Sequence, residues 1–216
     1  KDYVNCSAFL SSGKLLTASG DGAAILWDVA TGKESAAFIE HESGVICLDA
    51  SKNSGLFATG GYDTYSKLWD VRQKESICNF SGNNSDVNAV KLFPGDRALA
   101  VASDDATCKL FDLRSFRLLN TYEHESVIST LTALLFSKSG HYLFALSEGG
   151  QLVTWDLLSG KLLDLQHGEE KLSCMDINCE GDALVVGSWD ESLSVWTNDC
   201  HHGQRTLIID PSVKEE

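Results

Sequence analysis

Thr59-Gly60-Gly61-Tyr62-Asp63-Thr64-Tyr65-Ser66-Lys67-Leu68-Trp69-Asp70 reads as strand, tight turn, strand. The apolar run Leu56-Phe57-Ala58 leads into Thr59. Gly60 and Gly61 admit backbone geometry that is closed to bulkier residues. Asp63 stands where a short carboxylate can accept hydrogen bonds from N–H groups of its own turn. Leu68 and Trp69 enter a second strand that ends at Asp70. The figure recurs along the chain. Trp27-Asp28, Trp69-Asp70, Phe111-Asp112, Trp155-Asp156 and Trp196-Thr197 follow one another at spacings of 42, 42, 44 and 41 residues. Six residues before each aromatic stand Asp21, Asp63, Asp105, Gly149 and Asp190.

A period near 40 that ends its third strand on Trp-Asp resembles the WD40 repeat, which builds one four-stranded propeller blade per repeat. The fold class expected is therefore all-β, a WD40 β-propeller with five four-stranded blades of a usual seven. Blades share one radial core, so residues 1–198 count as one domain. Residues 199–216 form a C-terminal extension in which Gly203 to Ile209 resembles the outer strand of earlier repeats. His41, Thr59, Asp63 and Trp69 occupy the positions of the WD40 hydrogen-bonded tetrad. The carboxylate accepts from the imidazole, the hydroxyl holds the imidazole, and the indole N–H ends the network. A buried polar group left without its partner would cost about 1–3 kcal/mol. Serine-protease-like residue types thus have a structural explanation.

Composition narrows the function. The formal net charge is −14 and the pI is near 4.7. Sequence-independent nucleic-acid binding needs a basic surface to displace counterions, so no nucleic-acid partner is expected. Anionic lipid is disfavoured for the same reason, and no apolar run approaches a membrane span, so no direct membrane insertion is expected. A basic protein partner is permitted. The seven cysteines include no C-x-x-C pair and several lie in apolar strand patterns, as in Val45-Ile46-Cys47-Leu48, which reads as free buried thiols in a reducing compartment. No signal peptide is visible, and the chain opens on Lys1 inside a repeat, so it is expected to be part of something longer.

Taken in order, Tyr3–Leu10, Leu15–Ser19, Ala24–Asp28 and Glu34–Ile39 are expected as the first four strands. The second repeat, with Val45–Asp49, Leu56–Thr59, Ser66–Asp70 and Ser76–Phe80, is the best formed. The third keeps Asp105 but has Asn83, Val101 and Phe111 at the other tetrad positions. The fourth keeps His124 and Trp155, with Ala145 and Gly149 at the remaining two, and is expected to be the weakest blade. The fifth has Asp190 and Trp196 but inverts its Gly-His order as His167-Gly168. Cys200-His201-His202 cannot encircle a metal ion unaided and reads as a solvated loop, so no metal and no cofactor are expected.

A sharper resemblance lies within the WD40 class. Ala102-Ser103-Asp104-Asp105-Ala106-Thr107-Cys108-Lys109-Leu110-Phe111-Asp112-Leu113-Arg114 is similar almost letter for letter to a repeat of heterotrimeric G-protein beta subunits. Ser85-Asp86-Val87-Asn88-Ala89-Val90, Phe136-Ser137-Lys138-Ser139-Gly140 and Gly187-Ser188-Trp189-Asp190 share the likeness. It runs from about Tyr3 to Trp196, over the last five of seven repeats. Leu16 to Gly22 and Cys47-Leu48-Asp49 lean toward the class that pairs with gamma-like domains of RGS regulators. The resemblance implies a non-catalytic scaffold in signal transduction. It would bind a G-protein alpha subunit and effectors through one end of the propeller, and a gamma subunit or gamma-like domain along its side. Its place would be cytoplasmic, peripheral to the inner face of the plasma membrane through these partners. Carried over at matching positions, Tyr3, Asp86, Asn88, Asp104 and Trp189 would face alpha and effectors, and Lys171 stands where the family has an Arg.

Tyr62, Asp104 and Trp189 each immediately precede a turn position of the repeat, so their side chains are expected at one end of the propeller. An exposed Trp beside acidic residues suits an interface anchor; the other reading of Trp189 is packing between adjacent loops. Two departures bear on alpha binding. Gly44 stands where the family usually places an Asp, and Tyr62 replaces a smaller residue. The alternative is therefore another WD40 interaction platform that has lost alpha binding. An enzyme is not expected, because no nucleophile–base pair lies outside the tetrad and no phosphate-cradling loop follows a strand. Five repeats are expected to form an open arc with two uncovered blade faces.

Overall fold

The computed structural model describes residues 2–11, 13–168, 171–197 and 205–208. Their twenty strands form five antiparallel four-stranded sheets, each a meander in chain order. Blade 1 comprises β1 (Val4–Leu10), β2 (Lys14–Ser19), β3 (Ala23–Asp28) and β4 (Lys33–Ile39). Blade 2 comprises β5 (Val45–Ala50), β6 (Leu56–Gly61), β7 (Ser66–Asp70) and β8 (Ser76–Phe80). Blade 3 comprises β9 (Val87–Leu92), β10 (Ala98–Ser103), β11 (Cys108–Asp112) and β12 (Arg117–Tyr122). Blade 4 comprises β13 (Leu131–Phe136), β14 (Tyr142–Ser147), β15 (Gln151–Asp156) and β16 (Leu162–His167). Blade 5 comprises β17 (Leu172–Ile177), β18 (Ala183–Ser188), β19 (Ser192–Thr197) and β20 (Arg205–Ile208). The expected outer strand of the tail is present as β20, paired with β19, whereas Cys200-His201-His202 lies outside the described residues.

The first strand of each blade packs against the first strand of the next, from β1 to β17 in sequence. Among the described residues no such packing joins β1 to β17, so the blades form an open arc. One face of each sheet meets its neighbour. Leu16, Ala24, Leu26 and Phe38 of blade 1 bury against Val45, Phe57 and Trp69 of blade 2. The opposite face of blade 1 has no covering blade, and Phe9 and Ile39 there are 71% and 68% exposed.

An aromatic closes each of the first three junctions. Phe38, Phe80 and Tyr122 share one repeat position in the last two residues of their outer strands and meet Trp69, Phe111 and Trp155 of the following blade at ring separations of 5.6, 4.8 and 6.0 Å. The fourth junction has Gln166 at that position. Trp196 on its far side is only half-buried, and its indole N–H has no acceptor among the described residues. The fourth blade itself is tightly filled, with Leu131, Leu143, Leu146 and Trp155 at most 1% exposed. The looseness expected of blade 4 therefore falls one step later, where the aromatic is missing.

Antiparallel meanders place two kinds of loop at opposite ends. The turns between second and third strands share one end with the crossovers between blades; this is the tetrad end. The other two hairpin loops of each blade lie at the far end.

Candidate partner-binding face

The turn between second and third strands repeats one backbone figure. The residue after the turn Asp position has positive φ in all five blades: Gly22 at 85°, Thr64 at 67°, Ala106 at 61°, Gly150 at 79° and Glu191 at 67°. Gly60 and Gly61 do not supply that conformation, contrary to their reading in the sequence. They are small because neighbours approach. A Cβ on Gly60 would lie 2.3 Å from Val87 Cγ1, and one on Gly61 would lie 2.7 Å from the Gly44 carbonyl oxygen.

In blade 2 the tetrad is complete. His41 Nδ1 donates to Asp63 Oδ2 at 2.7 Å. Thr59 Oγ1 accepts from Trp69 Nε1 at 2.8 Å and lies 2.8 Å from His41 Nε2, to which its hydroxyl donates when the imidazole is neutral. Burial of the ring outweighs the adjacent Asp63 carboxylate, so the His41 pKa lies below its usual value. Asp63 also accepts the backbone N–H groups of Glu42 and Tyr65.

The other blades rebuild or abandon this network. Blade 1 keeps Trp27 Nε1 on Thr17 Oγ1 at 2.8 Å. In blade 3 Lys109, 7% exposed, replaces the imidazole and donates to Asp105 Oδ2 at 3.2 Å. Burial pushes the Asp105 pKa up, but hydrogen bonds from Thr107, Asn84 and Lys109 together bring it below the usual value. Asn83 turns away and donates to the Thr64 carbonyl. In blade 4 His124 does not take the tetrad position. It is exposed, and its Nδ1 accepts only the Ser126 N–H. The lead-in loop is longer there, and hydrogen-bonded Ser129 and Ser147 hydroxyls hold Gly149 N instead. In blade 5 His167 is exposed inside β16, paired with Gln151.

Six of the seven residues singled out for partner contact belong to one repeated main-chain latch. The residue before each turn position donates its N–H to the residue leading into the first strand: Gly20 to Tyr3, Tyr62 to Gly44, Asp104 to Asp86, Glu148 to Thr130 and Trp189 to Lys171, at 2.8–3.0 Å. The latches bring Tyr3, Tyr62, Asp86, Asp104, Lys171 and Trp189 to equivalent places on the tetrad end. Trp189 is 75% exposed, Tyr3 60% and Tyr62 47%. Lys171 pairs with Glu148 across the two last latches. Burial and the Asp104 charge raise the Asp86 pKa.

The seventh, Asn88, sits at a β-bulge skipped by the β9–β10 register. Its amide donates to Asp104 and, at 3.1 Å, to the Leu131 carbonyl of the next blade. Asn5 makes the equivalent contact to the Val45 carbonyl at 2.7 Å. Asn88 therefore binds the scaffold together at the face it helps to line. Gly44 also has a local cause: a Cβ there would lie 2.8 Å from the Gly20 carbonyl oxygen and 3.3 Å from the Tyr62 ring. Sequence reasoning missed the Lys109 substitution for histidine. Its only signal is a lysine four residues after the turn Asp.

Among the described residues no cluster of three or more potential metal ligands is assembled, and no helix is long and apolar enough to cross a membrane. Residues 1–197 match the family model described as G protein beta WD-40 repeat protein.

Proposed function

This chain belongs to the G protein beta WD-40 repeat family, and on that premise we propose that it binds a G-protein alpha subunit through its tetrad end and a gamma subunit or gamma-like domain along its side. The family is one of protein-interaction scaffolds, generally without catalysis, and this chain is assigned the same non-catalytic role in signal transduction. Its location follows from its partners: cytoplasmic, at the inner face of the plasma membrane.

The observation that supports the reading is the repeated latch. It sets Tyr3, Tyr62, Asp86, Asp104, Lys171 and Trp189 on one end without using their side chains in the latch itself. Asp86 and Asp104 form an acidic pair on the same end of the arc as the exposed Trp189 ring, a combination suited to a basic partner surface with an aromatic anchor.

Immobilised GDP-bound alpha subunit, titrated with the chain co-expressed with a gamma-like domain, tests this. Trp189→Ala is expected to weaken binding about 30-fold, as removal of a hot-spot aromatic worth about 2 kcal/mol would. Absence of binding by the unaltered chain would favour the second reading, an interaction platform without alpha binding. Gly44, under the Tyr62 ring and without the family's usual Asp, supports that reading.

A further inference from the structure

The far end of the arc carries a different feature. Between blades 1 and 2 lies a cavity of about 240 Å³. Leu10 and Val71 form its apolar floor, and Lys52, Asn53 and Arg72 stand at its walls. Although the chain has 31 acidic and 17 basic residues, no carboxylate among the described residues lines it.

The loop that carries Lys52 and Asn53 is held rigidly. Ser51, 4% exposed, accepts the N–H groups of Asn53 and Ser54, each at 3.1 Å, and donates to Asp96 of blade 3 at 2.6 Å. Ser11 of blade 1 donates to the Lys52 carbonyl. Val71 N donates to Gly55 O at 3.0 Å, which ties the next loop, with Arg72, to the same wall. The serines spend their hydroxyls on the scaffold. Lys52, the Asn53 amide and part of Arg72 remain to meet a ligand.

Arg72 is already oriented. Its Nε and Nη2 donate to Asp70 Oδ1 and Oδ2 at 2.9 and 2.7 Å. That fork cancels one charge and leaves Nη1 directed away from Asp70. Lys52 has no ion-pair partner among the described residues. Asp96 lies behind Ser51 and does not line the cavity, so Lys52 and the free edge of Arg72 are the charged groups that face it, over an apolar floor.

From this arrangement we infer that the cavity between blades 1 and 2 is a second binding site, which takes a single acidic side chain of an extended peptide together with an apolar neighbour. The carboxylate meets Lys52, Asn53 and Arg72. The apolar side chain covers Leu10 and Val71. Because the site lies opposite the tetrad end, it is independent of alpha-subunit binding.

Backbone amide NMR of the ¹⁵N-labelled chain, titrated with acetyl-Leu-Glu-amide and separately with acetyl-Leu-Gln-amide, tests the inference. The glutamate dipeptide is expected to shift the amides of residues 52–55 and 71–72 saturably, at millimolar concentration. The glutamine dipeptide and the Lys52→Glu chain should each show about ten-fold weaker binding, equivalent to one charge contact. Lys52 is exposed, so the variant's remaining spectrum checks that the fold is retained. Equal shifts from both dipeptides, no shifts from either, or binding unchanged in Lys52→Glu would each overturn it. So would inorganic phosphate shifting these amides while the glutamate dipeptide does not.

Discussion

At the scale of single residues, one imidazole concentrates much of the second blade's polar energetics. His41 is wedged neutral between Asp63 and Thr59, and burial holds its pKa below the ordinary value of 6.5. The unfolded chain therefore binds the proton more readily than the folded one. Its contribution to stability is fully present above pH 6.5 and is lost as pH falls from there toward the folded pKa, at no more than about 1.4 kcal/mol per unit. Urea unfolding at pH 7.5 and 5.5 should show the unaltered chain losing stability on acidification, and His41→Asn, though less stable throughout, losing less over that window. Equal losses would contradict the neutral-imidazole network. The blade 2 tetrad was legible through the resemblance to the WD40 repeat, whose fixed turn geometry keeps its offsets, whereas the longer lead-in of blade 4 carried His124 off that position. Lys109 was not, because Lys67 stands at the same offset in blade 2 beside a histidine that already holds the turn Asp.

At the scale of elements, strand positions were legible to within about two residues because apolar alternation and turn residues both mark them. The backbone of the turn was not. Glycine appears at the left-handed position only in blades 1 and 4, and Thr64 adopts φ 67° with a β-branched side chain. Such a conformation costs a non-glycine residue roughly 1–2 kcal/mol, and glycine's extra unfolded-state freedom offsets about 0.4–1 kcal/mol of the relief. Thr64→Gly should raise the stability by about 0.5 kcal/mol, read as a higher urea midpoint at unchanged slope; a lower midpoint would mean that the turn does not strain Thr64. Bulges escaped notice for a related reason. Asn88 looks like an ordinary strand residue in the sequence, and only the register shows it standing out to bridge two blades.

At the scale of the whole molecule, stability is a sum over junctions, each feeling only its neighbours. The first three are closed by aromatic pairs. The fourth opposes Gln166 to a Trp196 whose N–H has no acceptor among the described residues, beside Val186 where blade 2 has Thr59. Hydrogen exchange should find the amides of β17–β19 opening before those of β9–β11, and Gln166→Phe should slow the former. Uniform exchange across the blades would show that the aromatic junctions do not set local stability. The expectation of a weak fourth blade rested on tetrad letters. Packing between blades depends on residues such as Tyr122 and Gln166, which the repeat motif does not include.

The latch that links each turn to the first strand of its blade is made only of main-chain atoms. Along the rim it follows, the latch itself therefore places little demand on side-chain identity. Apart from the glycines at 20 and 44, where neighbours crowd in, and Asp104, which is bonded by the bridging Asn88, a rim letter can be exchanged without breaking the latch. A lineage could trade one binding partner for another by point changes there, while the framework beneath was inherited intact.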